Sequence, residues 1–426
     1  MSQEVSVSAK MDDSSREYDF VVFGATSFVG QILTAYLLEH LDEHHESLRW
    51  AIAGRSEEKL SRLKASLGAL ARHVPIILAD ASNYEQMQGL CRQTRTVVST
   101  VGPFALYGES LVKACAQNGT DYCDSTGEFH WVRRMIDRYQ AQAMDSGARL
   151  IPCCGFDSVP SDLGVSFLQQ QAMQFWGTAA QEVKMRVKVL QGGGSGGTYA
   201  SVINLIKEAI ADPSVRKQLS DPYSLCPSGR ATIQQHEVKL AEYDRDFSSW
   251  VAPFAMAMIN ERVVHRSNAL FGYLFGKHFQ YNEGVLTGPG IGGRTQALIT
   301  AVGIHLFGFA AAVAPLRFLM EKFLLPKPGE GPGPEARRKG SFDIRFFGRT
   351  DNGQTLQVKV TGDRDPGYGA TARMLGQAVI CLAKDQRDQP EKPSPKGGFG
   401  TPSTMLGDRY LERLILHAGL RFEVLS

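Results

Sequence analysis

Apolar and polar positions along the first third of the chain alternate between two rhythms. Tyr18 to Phe23 (YDFVVF) is a short apolar run closed by Gly24, and GATSFVG then leads into an amphipathic stretch ending near Leu41. This pattern predicts a strand, a glycine turn and a helix. Leu48 to Ala53 (LRWAIA), Val74 to Ala79 (VPIILA) and Thr96 to Val101 (TVVSTV) repeat the apolar run, and each is followed by a turn signal: Gly54-Arg55-Ser56, Asp80 and Gly102-Pro103. Thr120 to Cys123 and Arg149 to Cys153 add two shorter runs. Strands alternating with helix-length segments imply right-handed crossovers and a parallel sheet, so residues 18–155 predict a doubly wound α/β domain.

From Gly155 the rhythm changes. A helix start at Asp157 to Ser161 is followed by mixed segments, a glycine cluster at Gly192 to Gly197, and late strands at Ser341 to Arg349 and Gln354 to Thr361. Residues 156–426 therefore predict a second, antiparallel-rich α+β domain, whose C-terminal helices are free to return to the first. Pro326 to Gly340 and Gln389 to Gly400 are expected as surface loops or linkers, and residues 1–17 as a flexible polar tail without a signal peptide's apolar core. Ala297 to Leu316, within an apolar stretch reaching residue 325, holds about twenty residues without a formal charge, long enough to cross a bilayer. Its Ala, Gly, His305 and Pro315 leave three readings open: a buried helix, a lipid-contacting surface or pocket, or a span.

The 426 residues are 43% hydrophobic and 21% charged, a globular balance that excludes general disorder and suits two or three domains. With 46 basic against 44 acidic residues and no basic tract, there is no field for steering onto nucleic acid. Seven cysteines at irregular spacing, without a Cys-x-x-Cys pair, fit reduced thiols in the cytoplasm. The ten histidines show no metal-ligand spacing, and no metal is expected.

Candidate chemistry begins at Gly24-Ala25-Thr26-Ser27-Phe28-Val29-Gly30. Gly24 permits a tight turn and Gly30 a close helix–sheet approach, so the helix N-terminus can offer backbone N–H groups to a pyrophosphate. Ser27 replaces the middle glycine of the dinucleotide fingerprint. Where an NAD site places an acid, the second strand ends in Gly54-Arg55-Ser56 with Lys59 one turn on, and Arg55 can pair with a 2′-phosphate. NADP(H) is favoured, with Asp80 and Ala81 near the adenine and Gly102 and Pro103 near the nicotinamide ribose. Catalytic candidates on neighbouring turns are Tyr107, Asp124 and Tyr199, the last in the glycine loop with Gly196, Gly197 and Thr198. Asp124 and Glu128 equally suit local backbone bonds, and Asp157 suits a helix N-cap. None of these candidates resembles a Tyr-x-x-x-Lys pair or a nucleophilic triad.

VVFGATSFVG, AGRSEEKL, STVGPFALYGESLVKAC, DYCDSTGE, GFDSVPSDLG, DPGYGATARM and GGFGTPSTMLGDRYLERL resemble the saccharopine dehydrogenase-like oxidoreductases from about Tyr18 to the C-terminus. GGGSGGTYAS and WVAPFAMAMINERVVHRSNAL are most similar to the trans-acting enoyl reductase branch. The resemblance implies a Rossmann domain, a second α+β domain and NADP(H)-linked reduction of a C=C or C=O bond in a hydrophobic lipid or polyketide-derived substrate. Two alternatives stand beside it. One is a saccharopine dehydrogenase-type amino-acid oxidoreductase, for which Arg186, Arg216, Arg262 and Arg266 would have to form a carboxylate pocket. The other is a non-catalytic nucleotide-binding protein on membranes or lipid droplets. The expected location is the cytoplasm, with peripheral membrane or lipid-droplet attachment as the variant; self-association is left open.

Overall fold

The computed structural model describes residues 16–193, 196–228, 233–327, 330–385 and 397–425. The expected tail up to residue 15, Gly194 and Ser195 of the glycine cluster, Pro328 and Gly329 of the first Pro/Gly-rich stretch, and residues 389–396 of the second lie outside these. The tail expected to residue 17 stops short of Arg16, which is buried and donates to the carbonyls of Thr94 and Asn118 and to Thr120 Oγ1.

Six parallel strands, β1 (Tyr18–Phe23), β2 (Trp50–Gly54), β3 (Ile76–Leu78), β4 (Thr94–Ser99), β5 (Asp121–Asp124) and β6 (Arg149–Ile151), take the order β3-β2-β1-β4-β5-β6. The helices between them are α1 (Phe28–Glu43), α2 (Glu57–Ser66), α3 (Tyr84–Gln93), α4 (Phe104–Tyr107), α5 (Glu109–Asn118) and α6 (Phe129–Ser146). Connectivity reverses between β1 and β4, the topological switch point at which such sheets gather ligands. β3 is shorter than its apolar run because Pro75 has no N–H to give a ladder and a 3₁₀ turn occupies Ala69–His73.

α7 (Val159–Trp176) carries the chain to the second domain. There β7 (Glu182–Gln191), β8 (Glu242–Asp244), β9 (Ser249–Ala252), β10 (Gln280–Gly288), β11 (Ser341–Arg349), β12 (Thr355–Gly362) and, after β13 (Gly398–Phe399), β14 (Leu420–Leu425) are introduced. Their sheet runs β14-β12-β11-β7-β10-β9-β8 and is antiparallel except where β10 pairs with β7. The helices here are α8 (Gly196–Ala211), α9 (Pro213–Leu219), α10 (Ala257–Leu270), α11 (Gly290–Ala312), α12 (Ala314–Phe323), α13 (Pro334–Lys339), α14 (Thr371–Ile380), α15 (Pro402–Met405) and α16 (Gly407–His417).

Two sequence expectations change. The glycine cluster does not stay a loop, since α8 begins at Gly196 and takes Thr198 and Tyr199 onto a helix. The uncharged segment is not a buried helix either. α11 stops at Val313, ahead of Pro315, which lacks the N–H a continuous helix needs. Only its small-residue side (Gly293, Ala297, Ala301, Ala311) is buried, while Ile299, Val302, Leu306 and Phe309 of α11 and Phe318 and Phe323 of α12 are each more than half exposed.

The two domains share a core. Phe20 and Val22 of β1, with Leu33 of α1 and Ile52 of β2, belong to the same buried cluster as Leu163, Val183, Phe346, Met374, Leu375 and Tyr410. Val21 and Phe23 point to the other face of β1, into a separate cluster with Ala51, Val97 and Leu111. The chain's end also returns: β13 extends the first sheet beside β6, and α14 packs on α1. At Gly376 a Cβ would stand 2.7 Å from Tyr36 Cε1, so the two helices touch through bare backbone. Gly376→Val should destabilise the protein by about 1–3 kcal/mol, the usual cost of overpacking. A lowered urea midpoint seen alike by fluorescence and circular dichroism would check both this contact and the common core.

Candidate functional site

The turn after β1 is built from close approaches. Gly24 has φ +86°, and a Cβ there would meet Val101 Cγ2 at 2.6 Å. A Cβ on Gly30 would stand 2.2 Å from the Gly24 carbonyl oxygen, so only glycine lets α1 start this near the strand. Ser27, the departure from the glycine fingerprint, is the N-cap. Its hydroxyl accepts from Gly30 N at 2.9 Å and donates to Thr100 Oγ1 at 2.9 Å, and Thr100 in turn donates to the Gly24 carbonyl. The serine side chain is thus engaged with the turn and β4. Among the described residues the N–H groups of Phe28 and Val29 meet no acceptor, which leaves the first turn of α1 with donors for an anion. These features fit a dinucleotide pyrophosphate. Gly24, Thr26, Ser27, Phe28, Val29 and Gly30 all lie on this one turn.

Arg55 follows Gly54, the last residue of β2, and is exposed. Ser56 caps α2, accepting from Lys59 N at 3.3 Å. The Gly54–Leu78 pairing brings the end of β3, with Ala81 and Asp80, to the same edge. Asp80 accepts from Ser82 N and Oγ, and those bonds, with the Arg55 charge, hold its carboxyl below the usual range. Arg55 makes no ion pair among the described residues and is free to meet a 2′-phosphate.

Three carboxyls stand at the β4–β6 end of this edge, and only one is uncommitted. Asp124, fully buried, accepts from Tyr122 OH (2.7 Å), Thr126 N (2.9 Å) and Cys153 N (3.0 Å), and burial lifts its pKa to about 6. It shapes the β5 and β6 turns and is closed to solvent. Glu128 accepts from Phe104 N (2.8 Å) and Ala105 N (3.0 Å), capping α4 just beyond Gly102-Pro103, and takes the Ser201 hydroxyl of α8 at 2.8 Å. Asp157 differs. The N-cap of α7 is Ser158, with no side-chain cap bond, so the expected capping role of Asp157 does not hold. Its Oδ2 faces Gly127, where a Cβ would lie 3.1 Å away. It has no hydrogen bond or ion pair among the described residues, and burial alone lifts it to about 6. Sequence reasoning set Asp157 aside because Asp before a helix usually caps it; only the fold shows the side chain turned elsewhere.

The other candidates separate. Tyr107 is 47% exposed on α4. Tyr199 is half-buried on α8 with its ring against Phe307 of α11. Tyr368 is buried and lies edge-on to Phe28 with centroids 5.0 Å apart, and its hydroxyl meets Thr198 Oγ1 at 3.0 Å. Gly331 also packs on the Phe28 ring and the Arg337 guanidinium stands 5.7 Å from its centroid. The stretch expected as a linker therefore covers the glycine turn and contains α13.

Residues 20–151 match the family described as the saccharopine dehydrogenase NADP binding domain. A protein of Mycobacterium tuberculosis, named provisionally as a trans-acting enoyl reductase, is 38% identical over 414 residues, 95% of this chain and 97% of that protein. The trans-acting enoyl reductase of Mycobacterium ulcerans is 34% identical over 417 residues, with the same coverage of 95% and 97%. Apo saccharopine dehydrogenase (L-Glu forming) of Saccharomyces cerevisiae shares the fold at TM-score 0.50 and 11% identity, over 96% of this chain and 100% of that one. The chain belongs to the saccharopine dehydrogenase-like oxidoreductases, in the branch of the trans-acting enoyl reductases, and is an NADP-dependent oxidoreductase. Arg55→Ala should weaken NADPH binding by about tenfold or more, the loss of a charge-assisted phosphate contact, and leave NADH nearly unchanged. Fluorescence titration with both nucleotides reads the difference, and equal losses would reject the role given to Arg55.

Proposed function

We propose that this oxidoreductase reduces the C=C bond of a hydrophobic, lipid or polyketide-derived enoyl substrate, with Asp157 as the proton donor. NADPH, when bound, supplies the hydride. Hydride reaches the β-carbon as the π bond opens, charge gathers on the carbonyl oxygen as an enolate, and a proton is then delivered to the α-carbon. The chain's part is to hold the substrate dry beside the switch point and to give that proton. Asp157 carries the reading: it is the carboxyl at this edge without a protein partner, set after β6 on the side of the switch point opposite the adenine-binding end. Tyr107, exposed at the end of α4, and Tyr199 remain donors available to the enolate oxygen.

The amino-acid alternative needs several free guanidinium groups together, and three of the four arginines are spent, with Arg216 exposed and alone. Arg186 pairs with Asp244 at 2.8 Å. Arg262 donates to Ser224 Oγ and to the carbonyls of Met258, Gln218 and Leu219. Arg266 donates to the carbonyls of Leu225 and Phe399, and Arg216 to those of Ala209 and Ile210. No carboxylate-binding set is left among them.

The exposed faces of α11 and α12 support a cytoplasmic protein that rests on a lipid surface through this helical pair. Single apolar residues on a surface are ordinary, but these are contiguous along two successive helices.

Two outcomes test these readings. Asp157→Asn should lower kcat by about 10²–10⁴-fold while NADPH affinity stays the same. In the wild type, a donor with a pKa near 6 is protonated below it, so turnover should fall as pH rises through about 6, a limb absent from the variant. Liposome flotation addresses the surface: Leu306→Glu with Phe309→Glu should leave the protein in the dense fraction while the wild type floats, and equal flotation would reject lipid contact by this face.

A further inference from the structure

Three histidines from opposite ends of the chain meet where α1 and α16 finish. His40 lies in the last turn of α1, His44 is its C-cap, and His417 is the last residue of α16. The expectation of scattered histidines therefore fails: His40 and His44 are spaced to share one helix face, and the fold delivers His417 to the same place. Ring centroids are 4.3 Å apart for His40–His44, 4.9 Å for His40–His417 and 4.6 Å for His44–His417. One nitrogen from each ring lies within 4.8 Å of those from the others. The cluster sits about 20 Å from the glycine turn, the length of α1, so hydride transfer does not use it.

We propose that His40, His44 and His417 form a binding site for a divalent transition-metal ion of the zinc class. With zinc–nitrogen distances of 2.0–2.1 Å, three imidazoles on a tetrahedral ion have ring centroids about 5 Å apart. The observed separations are already close to this, so capture needs the rings to swing and the helices to stay. His44 Nδ1 meets the His40 carbonyl at 3.0 Å, which holds the tautomer whose Nε2 carries a free lone pair. His417 Nδ1 is buried and, among the described residues, has no hydrogen-bond partner, a cost that a ligated ion would remove. His40 Nε2 accepts from Gln377 Nε2 at 3.1 Å. That amide is also tied to Tyr36 OH at 2.6 Å and Arg413 at 2.9 Å, so an ion would displace one contact and leave the glutamine seated.

The surroundings suit a cation. Glu46 Oε1 is 3.8 Å from His40 Nε2. The nearest positive groups are already matched, Arg413 to Glu46 and Asp385 and Lys384 to Glu46. His44 is exposed and gives the ion a way in. An ion held here would fasten α1 of the first domain to the C-terminal helix of the second.

The test uses the full-length protein, stripped with chelator and titrated calorimetrically with zinc chloride near neutral pH. One ion per chain should bind with sub-micromolar affinity and raise the melting temperature. His44→Ala, at an exposed position, and His417→Ala should each weaken binding at least about tenfold while NADPH affinity and the circular dichroism spectrum stay as in the wild type. Absence of binding at micromolar zinc, or binding that both variants retain, would overturn the site.

Discussion

Everything in this molecule depends on covering both faces of β1. The strand sends Val21 and Phe23 to one side and Phe20 and Val22 to the other, and all four are inaccessible to solvent. A parallel sheet has to be clad on both faces. On the Phe20 side the local helices do not complete the cladding, and α14, brought from far along the chain, lies against α1 through Gly376. That one requirement fixes where the second domain sits. Because α14 is preceded by the Asp365–Ala370 turn, seating the helix also lays Tyr368 on Phe28, and the two domains close around the glycine turn.

The same closure sorts the acids at the sheet edge by what the backbone leaves them to do. Asp124 is saturated by two backbone N–H groups and a tyrosine, and Glu128 spends both oxygens bracing α4 and α8. Buried carboxylates with such partners hold loops in place, and removing them would cost structure before chemistry. Asp157 is raised by burial without these compensations. Asp157 is partly open to solvent and no protein group among the described residues engages it, which is why the reactive role proposed above fits it better than either neighbour.

Much of this was legible in the residues, and the misses have physical causes. The β1 to β6 rhythm, the glycine turn and the late hairpin β11–β12 were readable because apolar runs and turn signals are local. The purpose of Ser27 was not: its hydroxyl bonds Thr100, a residue 73 positions away. The segment Pro326 to Gly340 has a linker's composition, yet Gly331 and Arg337 are held against Phe28, a contact only tertiary closure creates. The uncharged segment stayed open between three readings. Its alanines pack and its larger side chains face out, the reverse of a buried helix, and periodicity cannot say which side of a uniformly apolar helix will find a partner.

α8 joins the chemistry to the apolar surface. Ser201 on this helix ties to Glu128 at the sheet edge, Tyr199 rests on Phe307 of α11, and Lys207 reaches Glu321 of α12 at 3.5 Å. A helix tied to the sheet edge on one side and to the exposed pair on the other cannot shift without disturbing both. Through Ser201 and Glu128 that link runs on to the N-terminus of α4, beside the Gly102-Pro103 turn at the switch point, so the apolar surface and the sheet edge are parts of one packed unit.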